Sequence, residues 1–170
     1  MARDLALRVA TVLNLPDALN DDGAGFDKYR LHSDPSLLRD IAQSLAALIP
    51  SEVEVLAGVE LGGIPLAAAV SLCDGRPLVI VRQQPKGASG RIAGAEVFGR
   101  RVAVIKDMVQ GGGALISAAQ ALRADGAIVR DAVCAISWNT EATPFLAASD
   151  LVLRPVLSLE DLRQAWKAGR

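Results

Sequence analysis

The chain has 170 residues, a formal net charge of −1 at pH 7, 51% hydrophobic residues and only 4% aromatic ones. That length suits one domain over residues 1–170 with a buried core, which here has to be aliphatic. The charge balance excludes a global attraction to nucleic acid or acidic membranes, and the few aromatics speak against a base-stacking module, so any polyanion site has to be local.

In chain order, Leu5, Val9, Val12 and Leu13 share one face and predict a helix over residues 3–14. Residues 20–25 are polar and glycine-containing, a loop. The next helix starts at Ser33 or Asp34, with Pro35 in its first turn and a stripe of Leu37, Ile41, Leu45 and Leu48; Pro50 stops it. A strand over 53–57, a loop over 58–63 and a helix over 64–73 follow. Residues 78–81 read as a strand and 82 to about 94 as a loop. Residues 102–105 are a buried strand, 107–113 a loop, and 114–124 a helix closed by Gly126. A strand over 132–137, an edge strand over 151–153 and a helix over 159–167 complete the pattern.

This alternation predicts an α/β fold, a central, mostly parallel sheet flanked by helices. It puts three glycine-bearing loops at the carboxyl ends of strands, where such sheets bind ligands. No apolar run reaches the ~20 residues of a membrane helix. Cys73 and Cys134 form no C-x-x-C pair and no secretory signal opens the chain, which reads as two reduced core thiols in a cytoplasmic protein.

Strand 102–105 runs through Lys106 and Asp107 into Gly111, Gly112 and Gly113, which open a helix at Ala114. Glycines let a ligand approach the backbone, and the bared N–H groups of a first helical turn attract an anion. Asp107 is expected to hold hydroxyls or a metal-bound water; the alternative is a tight turn that it caps. With neither a P-loop nor a G-x-G-x-x-G pattern, the loop reads as a monophosphate cradle of another kind. Gly58-Val-Glu-Leu-Gly-Gly63 stands in the same strand-to-helix position and suits a diphosphate, or is a structural turn. Between residues 82 and 101, Arg82, Lys86, Arg91, Arg100 and Arg101 face one acid, Glu96. That is the composition of a lid over a polyphosphate, or of a solvated basic loop. His32 is the one histidine, which argues against a His-based triad or metal site and leaves it a local hydrogen bond.

Taken in this order, the stretches resemble orotate phosphoribosyltransferases from about Phe26 to Leu162. The segment Phe26-Asp-Lys-Tyr-Arg30 with Ser33-Asp-Pro-Ser-Leu-Leu38 is similar to the bacterial forms, and Gly58-Val-Glu-Leu-Gly-Gly-Ile-Pro-Leu66 to their diphosphate loop. The resemblance implies the type I phosphoribosyltransferase fold. It also implies transfer of ribose 5-phosphate from phosphoribosyl diphosphate to orotate, in pyrimidine nucleotide synthesis, with magnesium and in a homodimer. Glu60, Leu61, Gly62 and Gly63 would hold the diphosphate. Lys106, Asp107, Gln110, Gly111, Gly112, Gly113 and Ala114 would hold the ribose phosphate. Lys86, Arg82 and Asp107 would be catalytic, Lys28 and Trp138 would meet the base, and no side chain would ligate the metal directly.

The chain departs from the family pattern at several positions. Lys106 stands where the first of two acidic residues is usual, and Gln110 and Gly111 replace a hydroxyl pair. Gln83 replaces a lysine, and Ala88 or Ser89 stands where His or Tyr is usual. Ser137-Trp-Asn139 replaces Asp-Arg-Glu, whose arginine pairs with the orotate carboxylate. Three readings stay open: an orotate transferase, a transferase for another base on which Trp138 stacks, and a non-catalytic phosphoribosyl-binding or regulatory module.

Overall fold

Asp34 caps a helix by accepting hydrogen bonds from the N–H groups of Ser36 and Leu37, with Pro35 at the first helical position. The helix this starts, α2 (Pro35–Leu48), buries Leu37, Ile41, Ala42 and Leu45. Before it come α1 (Ala2–Val12) and a 3-10 turn, Lys28–His32. After it run β1 (Val55–Val59), α3 (Gly63–Asp74), β2 (Leu78–Val81), β3 (Ile92–Gly94), β4 (Arg101–Val109), α4 (Gly113–Ala124), β5 (Ile128–Ser137), α5 (Ala142–Ala148), β6 (Val152–Ser158) and α6 (Leu159–Ala168). The structure, a computed structural model, describes residues 2–15, 27–85, 90–138 and 142–169. The loop expected at residues 20–25 lies outside them.

The six strands form one sheet in the order β3-β2-β1-β4-β5-β6, parallel except for β3, which runs antiparallel to β2. This is the expected mostly parallel α/β sheet. Each face carries its own core. On one side Leu5, Val9, Leu37, Ile41, Leu66, Val70 and Leu162 from α1, α2, α3 and α6 pack on the sheet. On the other side Leu115, Ala118, Leu122 and Leu146 from α4 and α5 do so. The near-continuous apolar runs in β1 and β4 are what a sheet covered on both faces requires.

Several expectations change. Strand β4 continues to Val109, so Lys106 and Asp107 lie within it and not in a loop. They stay in the strand because their charges meet each other instead of water, as described below. Residues 92–94 form β3, a short edge partner of β2 with Gly94 opposite Val79; three residues with alanine and glycine give little strand signal. Helix α5 and the full length of β6 were likewise not expected, and β6 accommodates Pro155 because it is an edge strand. Cys73 is exposed, not a core thiol, whereas Cys134 is buried.

Burial pushes the Cys134 thiol up to about 12, with the Asp107 charge adding to the effect. A thiol reagent at neutral pH should therefore modify Cys73 readily and Cys134 only after unfolding. Mass spectrometry of the native protein should find the label on Cys73 alone; equal labelling of both would contradict the burial of Cys134.

Candidate functional site

Strands β1 and β4 are neighbours, but the helices that follow them leave on opposite faces of the sheet. The chain runs from β1 through α3 out to β2, and from β4 through α4 the other way to β5. The two loops at their carboxyl ends therefore diverge and leave a crevice at the topological switch point, the usual ligand position in an open α/β sheet.

The β1 loop is fixed by hydrogen bonds to the end of β2. Glu60 N–H donates to the Val81 carbonyl at 2.9 Å, Gln83 N–H donates to Glu60 Oε2 at 2.9 Å, and Gln83 Nε2 donates to the Glu60 carbonyl at 3.1 Å. The Glu60–Leu61 peptide is cis and Leu61 is exposed. Gly62 and Gly63 press against β4: a Cβ at Gly62 would lie 2.1 Å from Asp107 Oδ2, and one at Gly63 2.4 Å from the Ile105 carbonyl. Only glycine fits at both places.

Asp107 is completely buried. Lys106 Nζ donates to its Oδ1 at 3.1 Å, and Lys28 Nζ, arriving from the 3-10 turn, lies 3.0 Å from its Oδ2. The Lys28 approach makes an ion pair without the alignment of a hydrogen bond. Burial alone would raise the Asp107 pKa. The Lys106 charge, the Met108 N–H and Lys28 together outweigh it and hold the carboxyl below its ordinary range. His32 sits nearby with neither ring nitrogen hydrogen-bonded, so the local bond expected for it is not present; burial lowers its pKa while the Asp107 charge opposes that.

Across the crevice, Gly112 adopts the left-handed conformation at φ 76° and starts α4. A Cβ at Gly111 or Gly113 would meet nothing within 4 Å, so no neighbour among the described residues requires glycine there. Gly111 and Gly113 are exposed, while Gly112 between them is buried against Leu146 and Ala142. The basic loop is pinched at its base by the Arg82 N–H donating to the Arg91 carbonyl at 2.8 Å and Arg91 Nε donating to the Arg82 carbonyl at 3.0 Å. Arg91 also donates to Ser117 Oγ on α4 at 3.0 Å. Lys86, Ala88, Ser89 and Asn139 lie outside the described residues.

Of the expected site residues, Lys28, Gly62, Lys106 and Asp107 come together directly. Lys28 is engaged with Asp107, and Trp138 is half-buried against the aliphatic core, its backbone N–H donating to the Val109 carbonyl at 2.8 Å. The Gln83–Glu60 tie between the two loops was not legible from the sequence, nor was the nearness of His32 to Asp107. The type of a residue does not reveal a partner more than 20 positions away.

No protein-family profile matches the chain. It is 42% identical over 146 residues to the orotate phosphoribosyltransferase of Nocardioides sp. JS614, covering 85% of this chain and 82% of that protein. It is 33% identical over 130 residues to the orotate phosphoribosyltransferase of Methanospirillum hungatei, covering 75% of this chain and 74% of that one. Among solved structures, the Mycobacterium tuberculosis orotate phosphoribosyltransferase in complex with phosphoribosyl diphosphate superposes with a TM-score of 0.79. That match has 26% identity and covers 95% of this chain and 90% of the other.

Removing the Asp107 carboxylate leaves the buried Lys106 ammonium without a counter-charge. Asp107→Ala should therefore lower the unfolding free energy by about 3–5 kcal/mol in urea melts, and a wild-type midpoint would contradict the triad. Because the folded carboxyl titrates below its unfolded value of about 3.9, the unfolded chain binds more protons in acid. This stabilisation is complete above that unfolded value and is lost as the pH falls through the folded one. Asp107→Asn should flatten that acid limb.

Proposed function

We propose, from the premise that this chain belongs to the orotate phosphoribosyltransferase family, that it binds phosphoribosyl diphosphate across the β1/β4 crevice and transfers ribose 5-phosphate to a nucleobase. Orotate is the first candidate acceptor. The observation that carries this reading is the packing of the β1 glycine loop over a cluster of two ammoniums and one carboxylate, an excess of one positive charge, with the Gly111–Gly113 turn at the end of the same strand β4. The superposable Mycobacterium tuberculosis enzyme, solved with phosphoribosyl diphosphate, supports the same ligand here.

In this reading the N–H groups of Gly111, Gly112, Gly113 and Ala114, with Gln110 beside them, hold the 5′-phosphate at the start of α4. Glu60, Leu61, Gly62 and Gly63 present the β1 loop to the diphosphate. The bond from the anomeric carbon to the diphosphate breaks with its electron pair going to the leaving oxygen, and the ring becomes oxocarbenium-like before the base nitrogen attacks. The protein's contribution is then electrostatic and needs no nucleophile. Lys106 and Lys28 stabilise the departing charge and Arg82 stands at the neck of the loop; a catalytic role for Lys86 and a homodimer are carried over from the family. A cytoplasmic location is part of the proposal; among the described residues no helix is long and apolar enough to cross a membrane.

Magnesium, expected from the family, would enter on the diphosphate and neutralise part of its charge. The described side chains of the crevice do not fit such an ion. Both Asp107 oxygens face ammoniums, Glu60 Oε2 accepts from Gln83, and no metal-holding group of three His, Cys, Asp or Glu occurs among the described residues. The full engagement of Asp107 also favours a second reading, a phosphoribosyl-binding module without turnover, since that carboxylate is not free to accept from ribose hydroxyls.

The test combines binding with turnover. Phosphoribosyl diphosphate should raise the Tm of the wild type and leave that of Gly111→Val unchanged, although the variant itself should melt like the wild type. No shift with the wild type would remove the site assignment. Formation of nucleotide from phosphoribosyl diphosphate and orotate, or another base, within about tenfold of the common ~10 s⁻¹ separates transferase from binding module. Ligand binding with no product from any base would leave the second reading.

A further inference from the structure

We infer that Lys106 acts in this chain as a built-in counter-cation, so that the crevice binds the diphosphate of its ligand without magnesium. The inference rests on the reading of the crevice as a phosphoribosyl diphosphate site and specifies what carries the charge there.

The position of Lys106 supports it. The residue lies within β4, directly beneath the β1 loop: a Cβ on Gly63 would stand 3.3 Å from Lys106 Cα, while one on Gly62 would strike Asp107 Oδ2. The Lys106 ammonium is held by Asp107 Oδ1 at 3.1 Å, and its side chain keeps 9% exposure. A lysine fixed this way is a compact point charge with donors to spare, and lysine is a common phosphate binder in glycine loops. Because burial and Asp107 set its place before any ligand arrives, little ordering is needed on binding.

The electrostatics oppose a competing ion at the same spot. A divalent cation near the β1 loop would want a carboxylate oxygen, directly or through water. Of the two carboxylates at the β1 loop, Asp107 is paired with Lys106 and Lys28, and Glu60 Oε2 accepts the Gln83 N–H. With two ammoniums against one carboxylate, the cluster repels a further cation and attracts an anion. Exchanging the usual acid for Lys106 thus moves the positive charge from a dissociable ion to the chain itself.

Calorimetry with phosphoribosyl diphosphate, in chelator and then in excess magnesium, tests this on the wild type, Lys106→Asp, Lys106→Met and Lys106→Arg, each checked for a wild-type circular dichroism spectrum. The wild type and Lys106→Arg should bind with affinities that differ by less than about threefold between the two conditions. Lys106→Met should weaken binding in chelator by about tenfold or more, and Lys106→Asp likewise, with recovery on adding magnesium. If Lys106→Asp does not fold, the Met and Arg variants decide alone. A wild type that loses tenfold affinity in chelator, or a Lys106→Met that binds normally there, overturns the inference while leaving the ligand assignment intact. Absence of binding by the wild type under both conditions overturns the ligand assignment, and this inference with it.

Discussion

A carboxylate with no access to water lies between two ammoniums at the carboxyl end of β4, and much of the surrounding structure is fitted to it. Desolvating each of these charges costs several kcal/mol, which their mutual attraction offsets only when the geometry is good. Lys106 supplies one contact from the same strand and Lys28 the other from the 3-10 turn, so the triad fastens that turn to the sheet. The β1 loop closes over it, with Gly62 against one carboxylate oxygen. Three segments distant in sequence thus share one electrostatic centre.

The crevice around that centre follows from the winding of the sheet. Helix α3 covers one face and α4 the other, so the loops after the neighbouring strands β1 and β4 part. The glycines divide by physical role. Gly62 and Gly63 are required by the protein's own packing, and Gly112 by its backbone conformation. Gly111 and Gly113 have no such reason among the described residues and leave open the surface a phosphate would use. Family membership and this geometry point to the same chemistry, while Lys106 and Trp138 mark where the chain has its own version of it.

Much of this could be read from the sequence because it is local. The cap at Asp34, the apolar stripe of α2 and the glycine loops after β1 and β4 are patterns of spacing, and they hold. What could not be read is set by partners far along the chain. Lys106 and Asp107 look like the start of a loop by residue type; their burial depends on Lys28, some 80 positions earlier. Strand β3 is too short and too rich in small residues to show a period, and forms because β2 offers an edge. His32 resembles a surface residue by composition, yet it is drawn in beside the triad with its ring nitrogens unbonded. The resemblance supplied the family and the crevice's ligand class, and only the fold could say that the substituted lysine turns inward to Asp107.

The most direct measurement is a crystal structure of the protein grown with phosphoribosyl diphosphate and no divalent cation. The expected map has the 5′-phosphate on the N–H groups of Gly111, Gly112 and Gly113, and the diphosphate under the β1 loop within hydrogen-bonding reach of the Lys106 ammonium, which still contacts Asp107. An empty crevice at saturating ligand, or a bound diphosphate with Lys106 turned away from it, would contradict the central place given to the triad.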